Sequence, residues 1–176
     1  ASRVHVLPDL DLLDFKTERI DLAIRCGSPP WRNLHHQLLS NIHLVPVCSP
    51  ELLNRIPPIH KAEDLLEQDL IHADVGDHGL GDEWRDWFNG CGIKSIQNLT
   101  GQSFHDPALA MQAATDGMGI AIGYRELIND DLRTGKLVIA HDRPVKHAFN
   151  YYLVTRKTCP TSHASNDLAN WLFDKR

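Results

Sequence analysis

Eleven histidines, four cysteines and a scatter of serines are the side chains of this 176-residue chain best able to do chemistry, and their spacing selects little of it. Neutral imidazole suits zinc, but no two histidines stand at the i, i+4 spacing of a helical metal site, and the adjacent His35 and His36 point to opposite faces of a strand. Cys26, Cys48, Cys91 and Cys159 lie far apart, form no CxxC pair, and have no histidine at the spacing of a known cysteine nucleophile. Ser49 and Ser103 sit in no GxSxG elbow. Gly117-Met118-Gly119 with Gly123 looks like a phosphate loop only superficially, because it follows a helix and opens a strand instead of the reverse. Catalysis, a metal site and a cofactor are therefore not expected, and the chemistry left to the chain is binding.

Binding needs positioned backbone and polar side chains, and the stretch from Gly101 to Tyr124 supplies a complete strand, helix, strand unit for this. Asp106 is a favoured N-cap type and Pro107 fits the first helical position, where its missing N–H costs nothing. Ala110, Ala113 and Ala114 share one face and let the helix lie close to a sheet, and Gly117 suits the left-handed residue that ends it. Met118 to Ile122 is an unbroken apolar run, the pattern of a strand covered on both faces. Ligands of open α/β sheets bind beyond the carboxyl ends of strands, where helix N-termini converge, so the Phe104-His105-Asp106 turn is a candidate ligand wall. There the Asp106 carboxylate reads first as a cap, and the backbone N–H groups behind it are the better ligand donors.

The composition agrees with a globular binding module. Hydrophobic residues make up 42% of the chain, enough for a core, and a formal charge of −5 with scattered basic residues offers no field for a phosphate backbone. The chain alone is not expected to grip DNA. No signal-like or membrane-spanning apolar run is present, and the dispersed cysteines suit a reducing cytoplasm. Asn98-Leu99-Thr100 matches a glycosylation pattern that would matter only outside it.

In chain order, strands are expected at Arg3 to Leu7, Ile20 to Ile24, Leu34 to Leu39 and Ile42 to Val47, with a short helix or irregular link through Leu12, Leu13 and Phe15. Ser49-Pro50 starts a helix, Ala62 to Gln68 is a short one, Leu70 to Ala73 is a strand, and the glycine-rich Val75 to Gly81 loop is a second candidate ligand wall. Asp82 caps a helix carrying Trp84, Trp87 and Phe88 on one face. After Tyr124 come a helix from Arg125 to Leu132, a strand from Lys136 to Ala140, a long strand from Phe149 to Thr155, and a helix capped by Ser165 with Leu168, Trp171 and Leu172 as its stripe. This alternation argues for parallel sheets with helices on both faces, and the late strand for a chain that leaves a first lobe, builds a second and returns.

The segments DFKTERIDLAIRCG, LVPVCSPELL, LIH with the tryptophan pattern through Phe88, SFHDPALAMQAATDGMGIAI, GKLV and FNYYLV, in this order and spacing, resemble the effector-binding domain of LysR-type transcriptional regulators, in the subgroup of the glycine-cleavage activator and the β-lactamase regulators. The resemblance spans nearly the whole chain. It implies an α/β, two-lobed, type II periplasmic-binding-protein-like fold with two crossing strands, Leu44 to Cys48 and Asn150 to Thr155, and an interlobe cleft. The first lobe would be residues 1–46 plus 154–176 and the second 47–153. By the same resemblance the cleft residues are Arg25, Cys26 and Gly27, then His72 to Asp74, then His105 and Asp106, with Tyr151 the preferred single contact. The Tyr151 phenol either donates to a ligand or is satisfied by backbone.

The implied partners are a small-molecule effector and further copies of the chain in a homo-oligomer, a dimer or tetramer, with DNA met only through an N-terminal helix-turn-helix and no membrane involved. The family's first strand and helix and its DNA-binding region precede Ala1, which leaves an expected gap in the first lobe's sheet. Acidic effectors suit Arg25, and aromatic or amide-bearing ones suit Tyr151 and Trp31. The alternatives are a periplasmic solute-binding protein of the same architecture, or a small α/β hydrolase for which no nucleophile with a matched base is found.

Overall fold

In the computed structural model, which describes residues 4–7, 20–74, 83–94, 96, 99–157 and 162–174, the strand, helix, strand unit stands where the caps place it. Strand β5 is Gly101–Phe104, helix α3 is Pro107–Thr115 and strand β6 is Ile120–Tyr124. The Asp106 carboxylate accepts from the Ala108 N–H at 2.8 Å and Pro107 takes the first turn. Gly117, at φ 76°, ends the helix in the left-handed conformation, while the Met118 N–H closes back on the Ala113 carbonyl at 3.0 Å.

The chain divides into two compact units, Ala1–Asn41 with Ala148–Arg176, and Ile42–His147. In the second unit, β3 (His43–Cys48), β4 (Leu70–Ala73), β5, β6 and β7 (Val138–Ile139) form one sheet in the order β5-β4-β6-β3-β7, and β8 (Val145–Lys146) also pairs with β3. The pairs around β4 are parallel and those around β3 antiparallel, so the sheet is mixed and not parallel as the alternation suggested. The reason is that β3 runs against the direction of the βαβ repeat, with β6 on one edge and β7 and β8 on the other.

Alternation along the strands sends residues to two faces. Val45, Val47, Ile71 and Ala121 pack with Ala110, Ala113 and Ala114 of α3, whose small side chains allow close approach, and with Ile128 and Leu137. On the other face, where Leu44 stands opposite Tyr124, the Tyr124 hydroxyl donates to Glu83 of α2 (Glu83–Gly90) at 3.1 Å. Trp84, Trp87 and Phe88 of α2 are fully buried, with ring centroids 5.2 to 6.2 Å apart.

Helix α1 (Pro50–Arg55) is capped by Ser49, whose hydroxyl accepts from the Leu52 N–H at 3.2 Å. Ala62–Glu67 is a 3-10 turn whose Asp64 carboxylate accepts from the His60 and Lys61 N–H groups, which hold it below the usual carboxylate range. Helix α4 spans Asn129–Thr134, later than expected, because residues 125–128 form a turn; Gly135 ends it.

The first unit holds an antiparallel sheet of β1 (Ala23–Gly27), β9 (Asn150–Arg156) and β2 (Leu34–Ser40), in the order β1-β9-β2, and helix α5 (His163–Asp174). Several expectations are corrected here. Val4, Val6 and Leu7 lie in no strand and are 59, 82 and 71% exposed, since no neighbouring strand takes up their backbone groups among the described residues. The cap of α5 is Ser162, whose Oγ accepts from the Ser165 N–H at 3.2 Å; Ser165 is itself buried one turn in, and Trp171 falls on the exposed side of the stripe. β3 lies within the second unit and β9 within the first, and the division between the units falls at Asn41/Ile42 and His147/Ala148. Ile42 is completely buried and its carbonyl accepts the His147 N–H at 2.9 Å, so the second unit closes on itself at that pair. The expected link through Leu12 to Phe15, the Val75 to Gly81 ligand wall, the Asp82 cap, Asn98 and Cys159 fall outside the described residues.

Candidate functional site

The sequence candidates gather into two sets, one on each unit. Arg25, Cys26 and Gly27 end β1, and their partners across the antiparallel pair are Tyr152, Tyr151 and Asn150. Arg25 and Tyr152 therefore share one face of the sheet, and Cys26 and Tyr151 the other. Burial, and secondarily the neighbouring Cys26, push the Tyr151 phenol up to about 12, so it is a neutral hydrogen-bond donor at physiological pH. On the opposite face the Arg25 guanidinium lies over the Trp31 ring, 4.7 Å from its centroid, and Trp31 meets Tyr152 edge-on at 5.4 Å and His36 at 5.8 Å. Partial burial lowers the Arg25 pKa from its ordinary value, but an arginine stays cationic in this setting.

In the second unit, His72, Asp74, His105 and Asp106 meet at the carboxyl ends of the parallel strands β4 and β5, where His72 stands opposite Ser103. The Asp74 N–H donates to the Phe104 carbonyl at 2.8 Å, extending the ladder past both strands, and His105 Nδ1 stands 3.2 Å from the Asp74 carbonyl and 4.0 Å from its carboxylate. The Asp106 carboxylate is committed to the α3 cap. His72 Nε2 is buried without a hydrogen-bond partner among the described residues. Gly101 makes room for that ring, since a Cβ there would stand 3.0 Å from His72 Cδ2 and 2.1 Å from the Leu70 carbonyl oxygen.

Sequence reasoning missed two participants. Asn150, opposite Gly27, has its Oδ1 buried without a partner among the described residues, and Tyr152 completes the aromatic group around Trp31. Neither carried a signal in the sequence, because only the antiparallel register places Asn150 beside Gly27 and Tyr152 beside Arg25. No group of three or more metal-ligating side chains occurs among the described residues, and none of their helices is long and apolar enough to cross a membrane.

The family model for the LysR substrate binding domain matches residues 2–176. This chain belongs to that family. Its LysR domain is 30% identical over 141 residues to the glycine cleavage system transcriptional activator of Escherichia coli K12, covering 80% of this chain and 45% of that one. It is 32% identical over 154 residues to the transcriptional regulator DsdC of the same organism, covering 85% and 49%. The chain thus spans about half the length of the curated relatives it matches.

Among solved structures the LysR domain superposes on the AmpR effector-binding domain of Citrobacter freundii with a TM-score of 0.76 at 23% identity, covering 95% of this chain and 80% of that one. The effector domain of AmpR from Pseudomonas aeruginosa gives 0.72 at 22%, covering 95% and 76%. The fold is that of LysR effector-binding domains, the type II periplasmic-binding-protein-like class. The family match sets aside the periplasmic solute-binding alternative.

Proposed function

We propose that the chain is the effector-sensing domain of a bacterial LysR-type transcriptional regulator. The observation that carries this reading is the family match over residues 2–176, with relatives that are themselves transcription regulators. Its effector is a small molecule, and the candidate contacts, each set taken by itself, are Arg25, Cys26, Gly27 and Tyr151 in the first unit and His72, Asp74, His105 and Asp106 in the second. A half-buried guanidinium on one face of the first unit's sheet, a neutral phenol on its other face and, in the second unit, the N–H groups at the start of α3 each offer donors suited to an acidic or polar ligand. The domain binds without turning its ligand over, works in the cytoplasm, and belongs to a homo-oligomer that meets DNA through a separate helix-turn-helix.

An effector acts here by preferring one conformation of the domain, and it shifts the population only by its differential affinity for the two states. The test is to express the whole open reading frame that encodes this chain and footprint it on the DNA upstream of its own and neighbouring genes. A protected site whose pattern changes with a small molecule supports the reading. A product that binds no DNA, or that consumes the small molecule, refutes it.

A further inference from the structure

The two buried side-chain atoms left without a hydrogen-bond partner among the described residues are His72 Nε2 and Asn150 Oδ1, and both fall within the two candidate sets. A buried acceptor without a donor lowers stability, so its presence calls for an explanation. For Asn150 the sheet register supplies one. Asn150 pairs with Gly27 and Tyr152 pairs with Arg25, so the side chains of Arg25, Asn150 and Tyr152 share one face, with Arg25 and Asn150 diagonal neighbours about 7–8 Å apart at Cα. The Trp31 indole closes over Gly27, where an added Cβ would stand 3.1 Å from its Cζ2. The Arg25 guanidinium lies over that ring, 4.7 Å from its centroid, and no carboxylate of the described residues forms an ion pair with it. Among the described residues, one face therefore carries a cation without an anion and an acceptor without a donor, against an aromatic wall.

We infer that this face of the first unit, built by Arg25, Trp31, Asn150 and Tyr152, binds a small molecule whose carboxylate has a hydrogen-bond donor on the adjacent carbon, with α-amino acids as the ligand class. The inference rests on the effector-sensing reading and names the chemistry of the effector. Arg25 takes the carboxylate through charge-assisted hydrogen bonds, and Asn150 Oδ1 accepts from the ammonium. In an α-amino acid these groups are separated by a single carbon, a span that two residues on diagonal positions of one face can meet together. The terminal amide torsion of asparagine is broad, so Oδ1 can swing toward the ligand without disturbing β9. Trp31 and Tyr152 bound the space left for the ligand's side chain.

The experiment measures thermal stability and calorimetric binding of this chain against the proteinogenic α-amino acids and D-alanine and D-serine. For the amino acid giving the largest shift, the comparators are its desamino acid, its α-hydroxy acid and its primary amide. The amino acid is expected to raise the melting temperature, the hydroxy acid to raise it less, and the desamino acid and the amide to leave it unchanged. Asn150→Leu should weaken binding about tenfold, the size of one hydrogen bond. Asn150→Asp, which keeps the acceptor, should retain binding, and Arg25→Gln should abolish it; melting of each unliganded variant confirms that it folds.

Silence of every amino acid overturns the inference, as does a desamino acid that works as well as its parent or an Asn150→Leu variant that binds unchanged. A shift from other carboxylic acids with the amino acids silent overturns it while leaving effector sensing intact. Absence of DNA binding by the whole gene product, by contrast, removes the regulatory reading without touching this binding result.

Discussion

The Trp84 indole donates from Nε1 to the Ile71 carbonyl at 2.9 Å, tying helix α2 to strand β4 one residue before His72. Both groups are buried, so the bond has no water to replace it. Trp84→Phe should cost about 1–3 kcal/mol, the loss of a buried bond with its acceptor left unpaired. Urea denaturation measures the total, and hydrogen exchange at Ile71 to Ala73 should rise more than at β9, where nothing changes.

The Tyr151 phenol, raised from 10.0 to about 12, makes stability depend on alkali. The folded state holds this proton where the unfolded chain releases it, so the contribution is complete below pH 10 and is lost as pH rises toward 12. Its size is about 2–3 kcal/mol at most. An absorbance titration of the folded protein should show a late tyrosine step that is missing in Tyr151→Phe.

Cys48 is fully buried on β3, and burial pushes its thiol up to about 11 despite a lowering contribution from the Leu53 backbone. A thiol held protonated and out of solvent is a poor nucleophile. At pH 8 Cys48 should resist alkylation until the protein unfolds, which mass spectrometry of the modified peptides would show. Its contribution to stability is intact below the ordinary thiol value of 9.0 and fades as pH climbs through the folded one.

Asp106 separates capping from ligand contact. Asp106→Ala removes the acceptor for the Ala108 N–H and should cost about 1 kcal/mol, whereas Asp106→Ser keeps a cap and should cost little. If the carboxylate also touches ligand, the serine variant folds normally and binds weakly; if it only caps, both properties survive. Melting curves with and without ligand distinguish the two.

Most elements were legible because their ends are chemical. Ser49-Pro50 and Asp106-Pro107 announce α1 and α3, and Gly117 ends α3, since cap and conformational preferences act over three or four residues. Errors came where local signals compete. Ser162 and Ser165 can both cap, and the register of the α5 turn decided for Ser162. Arg125 to Ile128 carries helical periodicity but lies in a turn tied to β3, where the Arg125 N–H donates to the His43 carbonyl at 2.9 Å.

The sequence by itself determined the α/β class, the caps, the apolar faces of α2 and α3, the absence of a recognisable nucleophile or metal spacing, and, through the order of its segments, the LysR family. Those properties depend on neighbours within a turn of helix or a few strand residues. Strand order, the mixed and antiparallel pairings, the points where the chain passes between units, and the meeting of Asn150 with Gly27 were decided only in the tertiary structure. Residues 27 and 150 are brought together by hydrogen bonds between β1 and β9, and no local preference in either segment encodes which partner, direction or register those bonds select.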